Sequence, residues 1–216
     1  MTLFATDDIL PEAPDGLYVL HDREYRVRAY QLADDRLLIQ GAVRDQKPPG
    51  LYLVDDPEPM TIHHMQVSLE VSFPELEIVD ADVHFESHPH GTCPSIEQHY
   101  RGLIGISIAR GFTHRVRDLF GGPRGCTHTT ALLMAMAPVA VQCFWSMRAA
   151  SAREQGIDGG VTPRGDDDSW RMNIGTCHMW AEGGDHVAAL EAGKGFGVPV
   201  FLERRLAKLG VDPETW

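Results

Sequence analysis

Between positions 65 and 73 the chain alternates cleanly: Met65, Val67, Leu69, Val71 and Phe73 are apolar, while Gln66, Ser68, Glu70 and Ser72 are polar. Successive side chains of a strand point to opposite faces, so this period of two dictates a half-buried antiparallel β-strand. Such a strand needs neighbours, and the sequence supplies them. Residues 25–31 and 37–43 are strand candidates separated by the turn-like Ala33-Asp34-Asp35, and Gln46-Lys47-Pro48-Pro49-Gly50 closes that unit. Pro74 ends the central strand. In 76–86 the alternation slips at Ile78-Val79, which predicts a bulge, and resumes through Ala81, Val83 and Phe85.

Helical signals begin after Pro94, in the weak stretch SIEQHYRGLIG. Residues 111–120 are either a helix or an irregular segment. The strongest helix runs from Thr127 to about Glu154, with Thr127 or Thr129 as its cap. Leu132, Leu133, Met136, Val139, Ala140, Cys143 and Phe144 give it a broad buried surface, and Pro138 predicts a kink near Met134. The apolar run 131–141 is about half a membrane span and reads as a core helix. Residues 155–168 combine glycines, Pro163 and three aspartates, and read as a solvated connection in preference to a mobile lid. A short strand is expected at 170–174, a helix at 185–192, and a terminal helix at 200–209 with Leu202, Leu206 and Leu209 on one face. Together these elements predict an α+β fold, an antiparallel sheet packed against helices. Residues 1–24 form an N-terminal extension and 25–216 a single domain, with 155–168 as its candidate mobile segment.

Charge narrows the function. Nineteen basic against 31 acidic side chains give a formal net charge of −12, with no basic stripe, which disfavours nucleic acid and anionic membranes as partners. The acidic opening MTLFATDDILPEAPDG lacks the pattern of an export signal, so a cytoplasmic location is expected. Four cysteines in a reducing compartment are expected to be free or metal-bound thiols.

Three of those cysteines sit in glycine-marked corners: HPHGTCPS at 88–95, GGPRGCTH at 121–128 and GTCHMW at 175–180. Thiolate and imidazole suit Zn and Fe, so Cys93, Cys126, Cys177 and His178 are the candidate metal ligands. Cys126 precedes the strongest helix, where unpaired N–H groups favour a thiolate, with Arg124 adjacent and His128 as a second ligand or proton carrier. The plainer reading of Cys126 is a small buried residue beside a capping histidine. His88 and His90 are close enough to Cys93 to approach one cavity, whereas Cys143 on the apolar helix belongs to a core. One or two of Arg101, Arg110, Arg115 and Arg117 are candidates to orient a carboxylate or phosphate, with surface solubilisation as the plainer reading, and Arg117 is assigned to position an acidic or phenolic small molecule. His114, Asp118 and Glu97 are acid–base candidates, with Asp118 placed beside His128 and Arg117 in the catalytic set. The separations of 33 and 51 residues between the three cysteines match no zinc finger or ribbon.

In order along the chain, Arg26 with Asp45, the TCP of 92–94, GISIARGFTHRVRDLFGG at 105–122, GCTH at 125–128 and the late TCH at 176–178 resemble a bacterial domain-of-unknown-function family, number 2889. The resemblance spans roughly 26–182. The family typically has leucine after GCTH, where Thr129 stands. A fainter similarity is to iron–sulfur scaffold proteins related to NifU and SufU, which have an early loop cysteine, a GC motif before a helix and a late cysteine beside a histidine. Pro94-Ser95 stands where those proteins have Gly-Asp, and the late pair is reversed.

These readings lead to a small metal-dependent enzyme, with Zn or Fe as cofactor, acting on a small acidic or phenolic molecule by lyase, decarboxylase or hydrolase chemistry. The alternative is an iron–sulfur or metal carrier, and a structural metal or none is the third reading. A homodimer is the default oligomer.

Overall fold

Antiparallel pairing sets the alternating positions of neighbouring strands side by side, so an apolar face in one strand extends across the sheet. The computed structural model describes residues 4, 9–156, 168–195 and 197–212. Four strands, β1 (Asp22–Ala33), β2 (Arg36–Lys47), β3 (Met60–Ser72) and β4 (Ile78–Ser87), form one antiparallel sheet in the order β1-β2-β3-β4. Leu37, Ile39 and Val43 of β2, Met65, Val67, Leu69 and Val71 of β3, and Ile78, Ala81, Val83 and Phe85 of β4 are buried on one face. The slip at Ile78-Val79 is the expected bulge: Glu70 pairs with Asp80 while Val71 pairs with Ile78, leaving Val79 as the extra residue.

The buried face is covered by the chain that follows. A 3-10 helix (Cys93–Leu103) buries Tyr100 and Leu103, and its Glu97 accepts a 2.7 Å hydrogen bond from the Phe85 N–H of β4. Helix α1 (Phe112–Phe120) buries Phe112, Val116 and Phe120, the four-residue spacing of one helical stripe. Helix α2 (Thr127–Glu154) has the predicted bounds and contains Pro138. Thr129, Leu132, Leu133, Met136 and Ala140 of α2 are buried, whereas Val139, Cys143 and Phe144 are half-buried. A fully buried Leu or Met contributes about 1.5–3 kcal/mol, so these few residues anchor the helix start. By length and composition alone α2 also meets the requirements of a membrane span. At its start α2 packs closely on the sheet at Gly41, where a Cβ would lie 2.7 Å from Met136 Sδ and 3.1 Å from Leu132 Cδ1, while 22% of its most apolar window is buried.

Residues 1–141 and 142–216 form two compact units. Beyond α2, the second has 3-10 helices at Asp168–Asn173 and His178–Trp180, then α3 (Asp185–Glu191) and α4 (Val200–Leu209). Trp170 is buried there, stacked 6.4 Å from Trp180, whose indole meets His186 edge-on at 4.8 Å. The strand expected at 170–174 is therefore corrected to a 3-10 turn. Ile174 N–H bonds back to the Arg171 carbonyl, and Arg171 pairs with Asp168 and Glu191, so local contacts replace a sheet partner. In α4 Leu206 is buried, Leu202 half-buried and Leu209 exposed. Most of the 155–168 connection lies outside the described residues.

Gly41→Val is expected to destabilise the protein by about 1–3 kcal/mol through overpacking. Gly91→Ala, where a Cβ meets nothing within 4 Å, is expected to stay within about 0.5 kcal/mol. Urea denaturation of the two variants checks the pair.

Candidate metal centre

The period that builds the core also buries a charge. On β2 the core face runs Leu37, Ile39, Gly41, Val43 and then Asp45, whose side chain is 1% exposed. Across the sheet Asp45 pairs with Arg23 of β1 on one side and His63 of β3 on the other, which places three polar side chains in one row. Arg23 grips the carboxylate with two bonds, Nε to Oδ1 at 2.6 Å and Nη2 to Oδ2 at 2.7 Å. His63 Nδ1 lies 3.1 Å from Oδ2, and His128 Nε2, from the first turn of α2, lies 3.1 Å from the same oxygen. The two imidazoles stack with centroids 4.0 Å apart, and His21 Nε2 stands 3.4 Å from Oδ1.

Such burial costs a carboxylate several kcal/mol unless it is paired. The hydrogen bonds from Arg23 outweigh desolvation and hold the Asp45 carboxyl well below the usual range, while the guanidinium is raised in turn. His128 is pushed down, first by burial and next by His63, against the pull of Asp45. Neutral imidazole is the form that ligates metals and accepts protons.

Donor atoms of Asp45, His63 and His128 all lie within 4.8 Å of one another. Ligands about 2.1 Å from one ion, at octahedral or tetrahedral angles, stand about 3.0–3.4 Å apart, which spans the 3.1 Å separations of the two imidazoles from Asp45 Oδ2, while the imidazole donors lie within 4.8 Å of each other. The chain thus contains a buried Asp/His cluster capable of coordinating a metal ion. Two imidazoles and one carboxylate are donors consistent with Zn²⁺ or Fe²⁺.

The GCTH corner supplies the neighbouring thiol. Cys126 Sγ is 3.7 Å from His128 Nδ1, on the edge of the ring away from Asp45. The Cys126 N–H donates to Tyr100 Oη at 2.7 Å, and the Tyr100 ring, 1% exposed, stacks 4.7 Å from Phe120. Gly125 is sterically required, because a Cβ there would collide with the Phe120 carbonyl oxygen.

The cysteine-ligand expectation is corrected by this geometry. Among the described residues the cluster able to hold an ion is Asp45, His63 and His128, and it contains no thiol. Cys126 faces the wrong edge of His128. Cys93 sits at the start of the first 3-10 helix, where its N–H bonds the His90 carbonyl, and His88 Nδ1 is 2.9 Å from that same oxygen. Cys177 and His178 are exposed in the second unit. Of the proposed catalytic residues, His128 is in the cluster. Arg117 and Asp118 lie on the exposed face of α1, Asp118 paired with His114 at 2.9 Å. Arg124 does not support Cys126; it donates to the Asp118 and Arg117 carbonyls at the end of α1. Arg101 pairs with Asp80, and Arg26 with Glu24.

Asp45, His63, Arg23 and His21 escaped sequence reasoning as site residues. The available signal was phase: Asp45 continues the buried period of β2, and His63 that of Met65–Val71 in β3. A charged or ionisable residue in step with a core face needs a partner.

Fold and site together define an α+β protein with a buried Asp/His centre at one end of its sheet. The signature of a family described as "Protein of unknown function (DUF2889)" matches residues 21–142, more than half of the chain. The chain belongs to that family. The matched segment holds His21, Arg23, Asp45, His63, Cys126 and His128, and it ends before the late TCH. No curated protein and no solved structure matches the chain, so the likeness to iron–sulfur scaffolds gains no support.

Asp45 and His128 both bind protons more weakly in the fold than in the unfolded chain, so stability falls as pH falls. The share from His128 is complete above its ordinary 6.5 and is lost as pH drops below it; that from Asp45 is complete above 3.8 and is lost at lower pH. Urea midpoints of metal-free protein are expected to decline in these two windows, with the upper decline missing in His128→Gln.

Proposed function

We propose that this protein is an enzyme that holds a divalent transition metal on Asp45, His63 and His128 and hydrolyses a small organic molecule bearing a carboxylate or phenolic group. The observation that carries the reading is the convergence of three donor atoms within 4.8 Å around one buried carboxylate. An ion held there supplies Lewis acidity toward a substrate oxygen and an attacking water.

The chain's own residues do the rest. Arg23 locks Asp45 so that the carboxylate keeps its orientation. The side chains of His63 and His128 are 19% and 16% exposed, so the cluster is shielded yet reachable from solvent. The side chains of His21 and Arg23, 36% and 39% exposed, line its rim and offer N–H donors to an anionic substrate. The net charge of −12 supports a small-molecule substrate over nucleic acid, and the free thiols support a reducing, cytoplasmic setting.

Calorimetric titration of chelator-treated protein with Zn²⁺ or Fe²⁺ is expected to give one site per chain. Asp45→Asn and His63→Ala should weaken it by more than about 100-fold, while Cys126→Ser keeps it. The ion-dependent part of the turnover of a panel of carboxylic and phenolic esters, the rate with the ion less the rate without it, should then persist in Cys126→Ser and vanish in His63→Ala. Equal binding or equal ion-dependent turnover by wild type and His63→Ala contradicts the proposal.

A further inference from the structure

His128 presents two working edges. Its Nε2 faces the Asp45 carboxylate at 3.1 Å, and its Nδ1 faces Cys126 Sγ at 3.7 Å. When Asp45 accepts the Nε2–H, the lone pair of the neutral ring is left on Nδ1, directed at the thiol. We propose that Cys126, His128 and Asp45 form a thiol–imidazole–carboxylate triad in which Cys126 is the nucleophile of acyl transfer from small activated esters. This goes beyond the metal reading and requires no ion.

The constellation has the three parts such chemistry needs: a nucleophile in reach of a base, a base oriented by a third group, and a third group that is itself fixed. Cys126 is held through its backbone. Its N–H bonds buried Tyr100, its carbonyl accepts the Thr130 N–H at 2.9 Å, and Gly125 before it has no room for a side chain. The thiol remains half-buried and accessible. Asp45 cannot swing away, because the Arg23 fork occupies both its oxygens. The carbonyl bond from Thr130 makes Cys126 the N-cap of α2, so the thiol is carried at a helix start whose first-turn N–H groups lack intrahelical acceptors.

In the acylation step the Cys126 proton passes to His128 Nδ1 as Sγ attacks the carbonyl carbon. An S–C bond forms, the C–O bond to the alcohol breaks, and the alcohol leaves with the proton from His128. Water, deprotonated by the same nitrogen, then cleaves the thioester to release the carboxylic acid and restore the thiol. An ion on Nε2 would move the ring proton to Nδ1 and remove the acceptor, so the ion-loaded and nucleophilic forms are alternative states of one ring.

Chelator-treated protein is mixed with p-nitrophenyl acetate, and acetylation at each cysteine is followed by mass spectrometry. Cys126 is expected to acylate at least about tenfold faster than exposed Cys177, with a nitrophenolate burst near one equivalent. His128→Gln should slow Cys126 acylation by about 100-fold, Cys126→Ser should abolish the burst, and Cys177→Ser should retain it. Acetylation of Cys177 as fast as Cys126, or an unchanged rate in folded His128→Gln, overturns the proposal. Should His128→Gln fail to fold by circular dichroism, the wild-type comparison of Cys126 with Cys177 decides. Because no metal is present, failure here leaves the ion-binding test untouched, and the reverse also holds.

Discussion

A carboxylate placed where the core pattern calls for an apolar side chain must be neutralised, and the Arg23–Asp45 fork does this at one end of the sheet. The rest of the site depends on that pair. Removing one partner of a buried ion pair typically costs about 3–5 kcal/mol, because the other charge is left without compensation. The part-exposed guanidinium of Arg23 softens this figure without removing the need for a partner. The fork also ties edge strand β1 to β2 through side chains as well as the backbone ladder, and it fixes the carboxylate on which His63 and His128 converge.

Four elements meet there, and each contributes through its own geometry. Adjacent strands stand about 4.8 Å apart, so side chains at paired positions on three strands reach one another without any loop to position them. Helix α2 adds His128 from above, and its placement follows from two glycines. Gly41 lets the helix approach β2, and Gly125 lets the chain pass the Phe120 carbonyl and enter the helix at Cys126. Burial and the neighbouring ring lower the proton affinity of His128, which favours the neutral imidazole. The thiol and the carboxylate occupy opposite edges of that ring.

The sheet was legible in the sequence because its signal is local. The alternation of Met65 through Val71 and the slip at Ile78-Val79 appear in the structure as a strand and a bulge. Helix α2 was equally readable, from its glycine-marked start to Glu154. The 170–174 segment was misread because short apolar runs do not distinguish a strand from a turn held by Arg171, Asp168 and Glu191. Of the cluster only His128 was legible, with Cys126 beside it misread as a ligand. Reasoning from residue type gathered cysteines, whereas the fold gathers the carboxylate and imidazoles that share a sheet face. That pairing depends on register between strands, which no single segment states, although Asp45 in phase with Val43 and His63 in phase with Met65 carried the hint.

Asp45 gathers the donor atoms of His63 and His128 around one point, and a metal ion bound there can be located by anomalous X-ray diffraction at the zinc edge from crystals of the full chain grown with one equivalent of Zn²⁺. One strong peak is expected about 2.0–2.2 Å from Asp45, His63 and His128, with Arg23 still bound to the carboxylate. A peak on Cys93, Cys126 or Cys177, or none within bonding distance of the two imidazoles, would contradict it.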